Sequence, residues 1–133
     1  MRSELREQRD VVNWCEERQI KVGATAQSTF TNSWKALAQN RMAGVKKGIP
    51  DLIIVIPPMY RKNGKWKTVF IEMKREKGGV ASKEQKEWIA ALDGSEGVSA
   101  KICHGAIAAM QYLESFLELE PPYDDTYLKS LTS

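Results

Sequence analysis

At 133 residues, with 42% apolar and 28% charged side chains, the chain has the size and balance of one globular domain able to bury its own core. No apolar run approaches the roughly 18 residues needed to span a bilayer, and the polar Met1-Arg2-Ser3-Glu4 start carries no secretory pattern, so a cytoplasmic protein without a membrane is expected. Two cysteines without a CxxC pattern and a single histidine argue against a structural zinc site and for reduced, packed thiols. Net charge is only +3, but it is unevenly spread. Lys35 to Lys86 holds 13 basic against 4 acidic residues, a net +9, while Glu114 to Ser133 holds 1 against 5, a net −4. A basic block of this kind fits a polyanionic partner; the plainer alternative is a solvated lysine-rich face.

Ser3 to Arg18 reads as a helix, with Ser3 as N-cap, acidic Glu4 in the first turn and an imperfect stripe of Leu5, Val11, Val12, Trp14 and Cys15. Gln19 to Thr29 alternates Ile20, Val22, Ala24 and Ala26, the period of a short strand. Asn32 or Ser33 caps a second helix from Trp34 to Met42, broken by Gly44, and Val45-Lys46-Lys47-Gly48 forms a basic loop. Leu52 to Ile56 is wholly apolar and, after Leu52, β-branched, as in a strand buried on both faces. Pro57-Pro58 stops it. A polar turn from Tyr60 to Lys67, with Asn63-Gly64 inside it, returns the chain into a second strand from Lys67 to Lys74.

Beyond the charged Arg75 to Val80 loop, Ser82-Lys83-Glu84-Gln85 matches a capping box and opens a helix whose apolar face is Trp88, Ile89 and Leu92. Val98 to Cys103 alternates like a strand. Ala106 to Leu119 spaces Ile107, Met110, Leu113, Phe116 and Leu117 as a helix, ended by Pro121-Pro122. The expected order is α-β-α-β-β-α-β-α, a mixed α/β domain over residues 1–120 followed by an acidic tail at 121–133.

The chemistry concentrates between Gly48 and Lys74. Residues i and i+2 of a strand share a face, so Glu72 and Lys74 point together and Met73 points away. Antiparallel pairing brings Asp51, at the start of one strand, to the end of the other. Two carboxylates and an ammonium then converge. Asp51, Glu72 and the Met73 backbone carbonyl offer hard oxygen ligands for Mg2+ or Mn2+, and Lys74 can orient a water or stabilise charge on a phosphate. The competing reading is a salt-bridge pair at a strand end. Asp51 weighs against it, because a carboxylate behind a proline at the mouth of a buried strand is unusual without a task.

Gly48-Ile49-Pro50-Asp51-Leu52, Phe70-Ile71-Glu72-Met73-Lys74, then Gly79, Ser82 and Gln85, resemble the PD-(D/E)XK nucleases, and within them the VRR-NUC group, whose small phage and prophage members also fit Gly44-Val45-Lys46-Lys47. The resemblance runs from Glu4 to about Leu117. The interval from Asp51 to Glu72, 72 − 51 = 21 residues, is longer than in many relatives, the excess lying in the Pro57 to Lys67 turn.

The resemblance implies a restriction-endonuclease-like core, a mixed sheet flanked by helices, and a metal-dependent DNA endonuclease. Asp51 and Glu72 would be metal ligands, Lys74 the catalytic lysine and Gln85 an amide near the site. A carboxylate from the first helix would join them, Glu4 first and Glu7 as alternative, although both also suit a helix N-terminus. Branched, Holliday-junction-like DNA and a homodimer are further expectations. Flap, nicking or restriction-type cutting and non-catalytic DNA binding are the alternatives. Lys46, Lys47, Arg75, Lys77 and Lys83 are expected phosphate contacts. Among the aromatic residues that could stack on bases, Trp34, Trp66, Trp88 and Tyr60, Trp66 is the best exposed candidate and Trp88 is expected in the core. His104 is a weak candidate base.

Overall fold

A computed structural model describes residues 2–25, 38–39, 41–61 and 63–118. Helix α1 (Glu4–Glu17) starts where the sequence places it: Ser3 Oγ accepts the Arg6 amide at 3.2 Å. Its buried residues, Glu7, Val11, Trp14 and Cys15, fall at i, i+4, i+7 and i+8, one face of a helix. Gln19, at φ +58°, turns the chain into strand β1 (Lys21–Ala24). Residues 26–29 of the expected first strand, most of the expected Trp34 to Met42 helix and the tail past residue 118 lie outside the described residues.

Strand β2 (Leu52–Ile56), a 3-10 turn (Pro58–Tyr60), strand β3 (Lys67–Lys74), helix α2 (Lys83–Asp93), strand β4 (Val98–His104) and helix α3 (Ala106–Glu114) complete the order. They form a four-stranded mixed sheet in the order β1-β2-β3-β4, flanked by helices. The first two pairings are antiparallel and β3–β4 is parallel. A parallel neighbour needs a crossover, which α2 supplies. No described helix is long and apolar enough to cross a membrane.

The core joins Val11, Trp14 and Cys15 of α1 to Leu52, Ile54 and Ile56 of β2, Val69, Ile71 and Met73 of β3, Cys103, and Ala106, Ala109 and Leu113 of α3. Burial pushes the Cys15 thiol up to about 12 and the Cys103 thiol up to about 11. Strand β2 was expected to be buried on both faces, but Ile53 and Val55 are only half-buried. The cause is placement: α1 and α3 cover one face, while α2 packs over β4 and β3 on the other.

Two helical faces also differ from expectation. On α3, Ala106, Ala109 and Leu113 face inward and Ile107 is 73% exposed. Alanines at the contact let the helix lie close to its neighbours, and Ile107 falls off that stripe. On α2, Gln85, Ile89 and Leu92 are half-buried, whereas Trp88, expected in the core, is exposed. Tyr60 is buried rather than available for stacking. Its hydroxyl donates to the Arg18 carbonyl at 2.7 Å and ties the hairpin turn to the end of α1.

Candidate active site

The site forms where one strand outruns its neighbour. The β2–β3 ladder ends at Leu52 opposite Ile71, but β3 continues for three residues, paired only with β4: Glu72 with Ile102, Met73 with Cys103 and Lys74 with His104. On the vacated edge, Asp51 Oδ2 accepts the Met73 amide at 2.8 Å, in the place of a β2 backbone partner. A strand residue sends its amide and carbonyl to the same edge, so the Met73 carbonyl leaves on Asp51's side. Asp51 is itself held from β1's end. The Thr25 amide donates to the Asp51 carbonyl at 2.8 Å, and Thr25 Oγ1 donates to the Pro50 carbonyl at 2.6 Å.

Glu72 and Lys74 are 2% and 7% exposed, low values for charged groups, and burial at this level requires partners. Lys74 Nζ lies 3.4 Å from Glu72 Oε2 and 3.8 Å from Glu4 Oε1. Gln85 Nε2 also donates to Glu72 Oε2, at 3.2 Å. Glu72 Oε1 is buried without a hydrogen-bond partner. The two oxygens of one carboxylate are thus treated unequally. Burial, and next the Asp51 carboxylate, push Glu72 up to about 8, and Lys74 offsets only part of this.

Gln85 serves two purposes. Its Oε1 accepts the Ser82 amide at 2.8 Å while Ser82 Oγ accepts the Gln85 amide at 3.1 Å, completing the capping box. That leaves Nε2 free to reach Glu72. Gly48 sets the distance between loop and helix. It sits at φ +90°, and a Cβ there would come within 2.6 Å of the Glu84 carbonyl carbon and 2.7 Å of the Gln85 nitrogen. Only glycine accepts both this backbone conformation and this approach, so the chain leading to Asp51 is seated on the first turn of α2.

Of the two candidate carboxylates on α1, Glu4 reaches Lys74 and Glu7 is occupied elsewhere. Glu7 is buried, accepts the Ala106 amide at the start of α3 and pairs with Arg2 Nε at 3.4 Å. The N-cap of α3 is Gly105, which has no side chain to offer, so Glu7 supplies the acceptor. Among the described residues, no group of three or more His, Cys, Asp or Glu side chains is arranged to hold a metal ion. The oxygen donors converging here are Asp51, Glu72 and the Met73 carbonyl.

The expected phosphate contacts divide. Lys46 and Lys47 are exposed and line a cleft with Glu84, Glu87, Trp88 and Ala91. Lys83 is exposed and pairs with Glu87 at 3.9 Å. Lys77 lies apart from that cleft, in a recess with Arg2, Glu7 and Glu76. Arg75 is half-buried, and its carbonyl accepts from His104 Nδ1 at 3.2 Å. Trp66 is 62% exposed, as expected, in the distal turn. Trp34 lies outside the described residues. The pinning of Asp51 by Thr25 had no local signal in the sequence.

A family model for the VRR-NUC domain matches residues 2–107. A solved structure described as a "VRR_NUC domain protein" shares the fold, with a TM-score of 0.65 and 24% identity over 87% of this chain and 88% of that one. No curated protein matches the chain.

Proposed function

The chain belongs to the VRR-NUC domain family, a family of nucleases, and from that premise we propose that it is a Mg2+- or Mn2+-dependent DNA endonuclease acting on branched, Holliday-junction-like DNA. The observation that carries this reading is half-buried Asp51 beside buried Glu72, with Glu72 Oε1 lacking a partner and Lys74 alongside. A carboxyl oxygen without a partner beside a second carboxylate fits a divalent cation, which would satisfy the lone oxygen and offset the burial and the Asp51 charge that together raise Glu72. Asp51, Glu72 and the Met73 carbonyl would hold it, with Glu4 as a further oxygen near Lys74. The ion's contribution is to neutralise phosphate charge and make a water acidic near neutral pH.

The chain's own groups perform the remaining tasks. Asp51 is fixed in orientation by the Met73 amide, beside the Glu72 carboxyl. Gln85 Nε2 holds Glu72 Oε2 in place. Lys74, buried between Glu72 and Glu4, keeps an ammonium where negative charge grows on the phosphate as the bond to the leaving oxygen breaks. Pro50-Asp51 and Glu72-Met73-Lys74 spell the PD-(D/E)XK pattern, the superfamily to which we assign the site. Paired cuts on a junction require two such sites, hence a homodimer. A phage or prophage role inside a bacterial cytoplasm accords with the resemblance of the basic loop.

A cleavage panel tests the proposal. Junction, flap and linear duplex substrates are incubated with Mg2+ or Mn2+ and wild type, Asp51→Ala or Lys74→Ala. Branched DNA should be cut by the wild type, and Lys74→Ala should bind it but cut on the order of 100-fold more slowly, the scale for losing one preorganised charge-stabilising group. Binding without any cation-dependent difference between wild type and Asp51→Ala would leave only a DNA-binding module. Equal cutting of linear duplex would remove the preference for branches.

A further inference from the structure

The cleft on the outer side of α2 is not used by the chemistry described above. Its volume is about 470 Å3, within the range of small-molecule sites (about 300–1,000 Å3). Glu84, Glu87, Trp88 and Ala91 lie at i, i+3, i+4 and i+7, one stripe of α2, and Lys46 and Lys47 form the opposite wall. The inward stripe, Gln85, Ile89 and Leu92, is a different one. Trp88 is 36% exposed and lines the cleft together with the small Ala91.

Charge sorts what can enter. Two lysines on the loop wall attract a phosphate, and two carboxylates on the helix wall repel one. The four charges cancel, which does not suit two phosphate backbones of a duplex. A single nucleotide fits if its phosphate faces the loop and its base faces the indole. Base–aromatic stacking needs an unpaired base, because a paired base keeps its faces within the duplex stack.

Position relates the cleft to the carboxylates. Gly48 is pressed on Glu84 and Gln85, so one contact between loop and helix separates the two sites. Trp88 lies three residues beyond Gln85, roughly 4.5 Å along the helix axis, and Gln85 touches Glu72. The cleft and the carboxylates thus adjoin the same stretch of α2.

We propose that this cleft is a subsite for one unpaired nucleotide next to the cut, with its base stacked on Trp88 and its phosphate held by Lys46 and Lys47. The inference rests on the nuclease reading and narrows its substrate to branched DNA that carries unpaired nucleotides, such as flaps, gaps and frayed junctions. Binding is measured by fluorescence anisotropy in EDTA at fixed salt, so that no cutting occurs. The probes are a blunt duplex, the same duplex with a single-stranded flap, and the flap strand alone. Trp88→Leu, which keeps apolar bulk, should weaken binding of the flap and single strand by about tenfold, within the range for loss of one base–aromatic stack. It should leave the blunt duplex within twofold. Trp88→Phe, which keeps an aromatic face, should stay near wild type. Lys46→Ala with Lys47→Ala should weaken both the flap and the single strand. Equal losses on all probes for Trp88→Leu, or none, would overturn the subsite, as would Trp88→Phe behaving like Trp88→Leu. Because the readout needs no cation, a catalytically dead protein that still shows the Trp88-dependent preference would sink the nuclease reading alone. An active nuclease without that preference would sink only the subsite.

Discussion

Replacing Glu72 with glutamine removes the ionisable group from the buried member of the carboxylate pair and keeps the side chain's shape. Glutamine retains an oxygen to accept from Gln85 Nε2, so packing should be preserved. Glu72 in the folded chain is raised from its ordinary 4.5 to about 8. Between those values the folded chain holds a proton that the unfolded chain has released. Without divalent cations, the contribution of Glu72 to stability should therefore be fully present below pH 4.5 and be lost as pH rises toward about 8, a change on the order of a few kcal/mol. Glutamine does not titrate, so Glu72→Gln should match the wild type near pH 4.5 and exceed it by several kcal/mol at pH 8. The assay is urea unfolding followed by tryptophan fluorescence, in EDTA, at both pH values. Adding Mn2+ at pH 8 should then raise the wild type more than the variant, because a bound cation favours the ionised carboxylate. A variant no more stable than wild type at pH 8, or one offset by the same amount at both pH values, would refute the account of Glu72 as a strained, cation-seeking acid.

Two further substitutions test how the site is positioned. Gly48→Ala combines a disfavoured φ of +90° with a Cβ at 2.6 Å from the Glu84 backbone; it should cost about 2–3 kcal/mol and depress cutting by moving Asp51, and unaltered stability would show that the loop is not seated on α2. Glu7→Ala should cost about 2 kcal/mol of unfolding free energy, read from denaturant unfolding, through loss of the α3 acceptor, whereas exposed Glu4→Ala should change stability by no more than about 0.5 kcal/mol yet slow cleavage; the reverse ranking would exchange their assigned roles.

Much of the site was legible because its rules are local. The period of two in β3 places Glu72 and Lys74 together, the antiparallel return brings Asp51 to them, and Ser82 with Gln85 marks the start of α2 in both sequence and structure. The choice between Glu4 and Glu7 was not legible. They sit three apart and share a helix face, and what separates them is Ala106 at the start of α3, a contact 99 residues away. Trp88 misled for a similar reason. Its residue type reads as core, but the helix turns Gln85, Ile89 and Leu92 toward the sheet and leaves the indole at the surface. Tyr60 misled in the opposite sense: a polar turn hides a buried ring because the end of α1 offers its hydroxyl an acceptor.

The burial of Cys15 and Cys103 has a practical consequence. Thiolates, not thiols, react with maleimides and iodoacetamides, and these are the chain's two cysteines, both held protonated well above neutral pH. The native sequence therefore needs no cysteine removal before labelling. A cysteine introduced at exposed Lys65, beyond the far end of β3 and more than about 20 Å from Lys74 at the usual rise per strand residue, would be the single reactive handle. A dye or surface tether placed there leaves the carboxylates and the Trp88 cleft untouched, so individual molecules can be followed as they engage and release DNA.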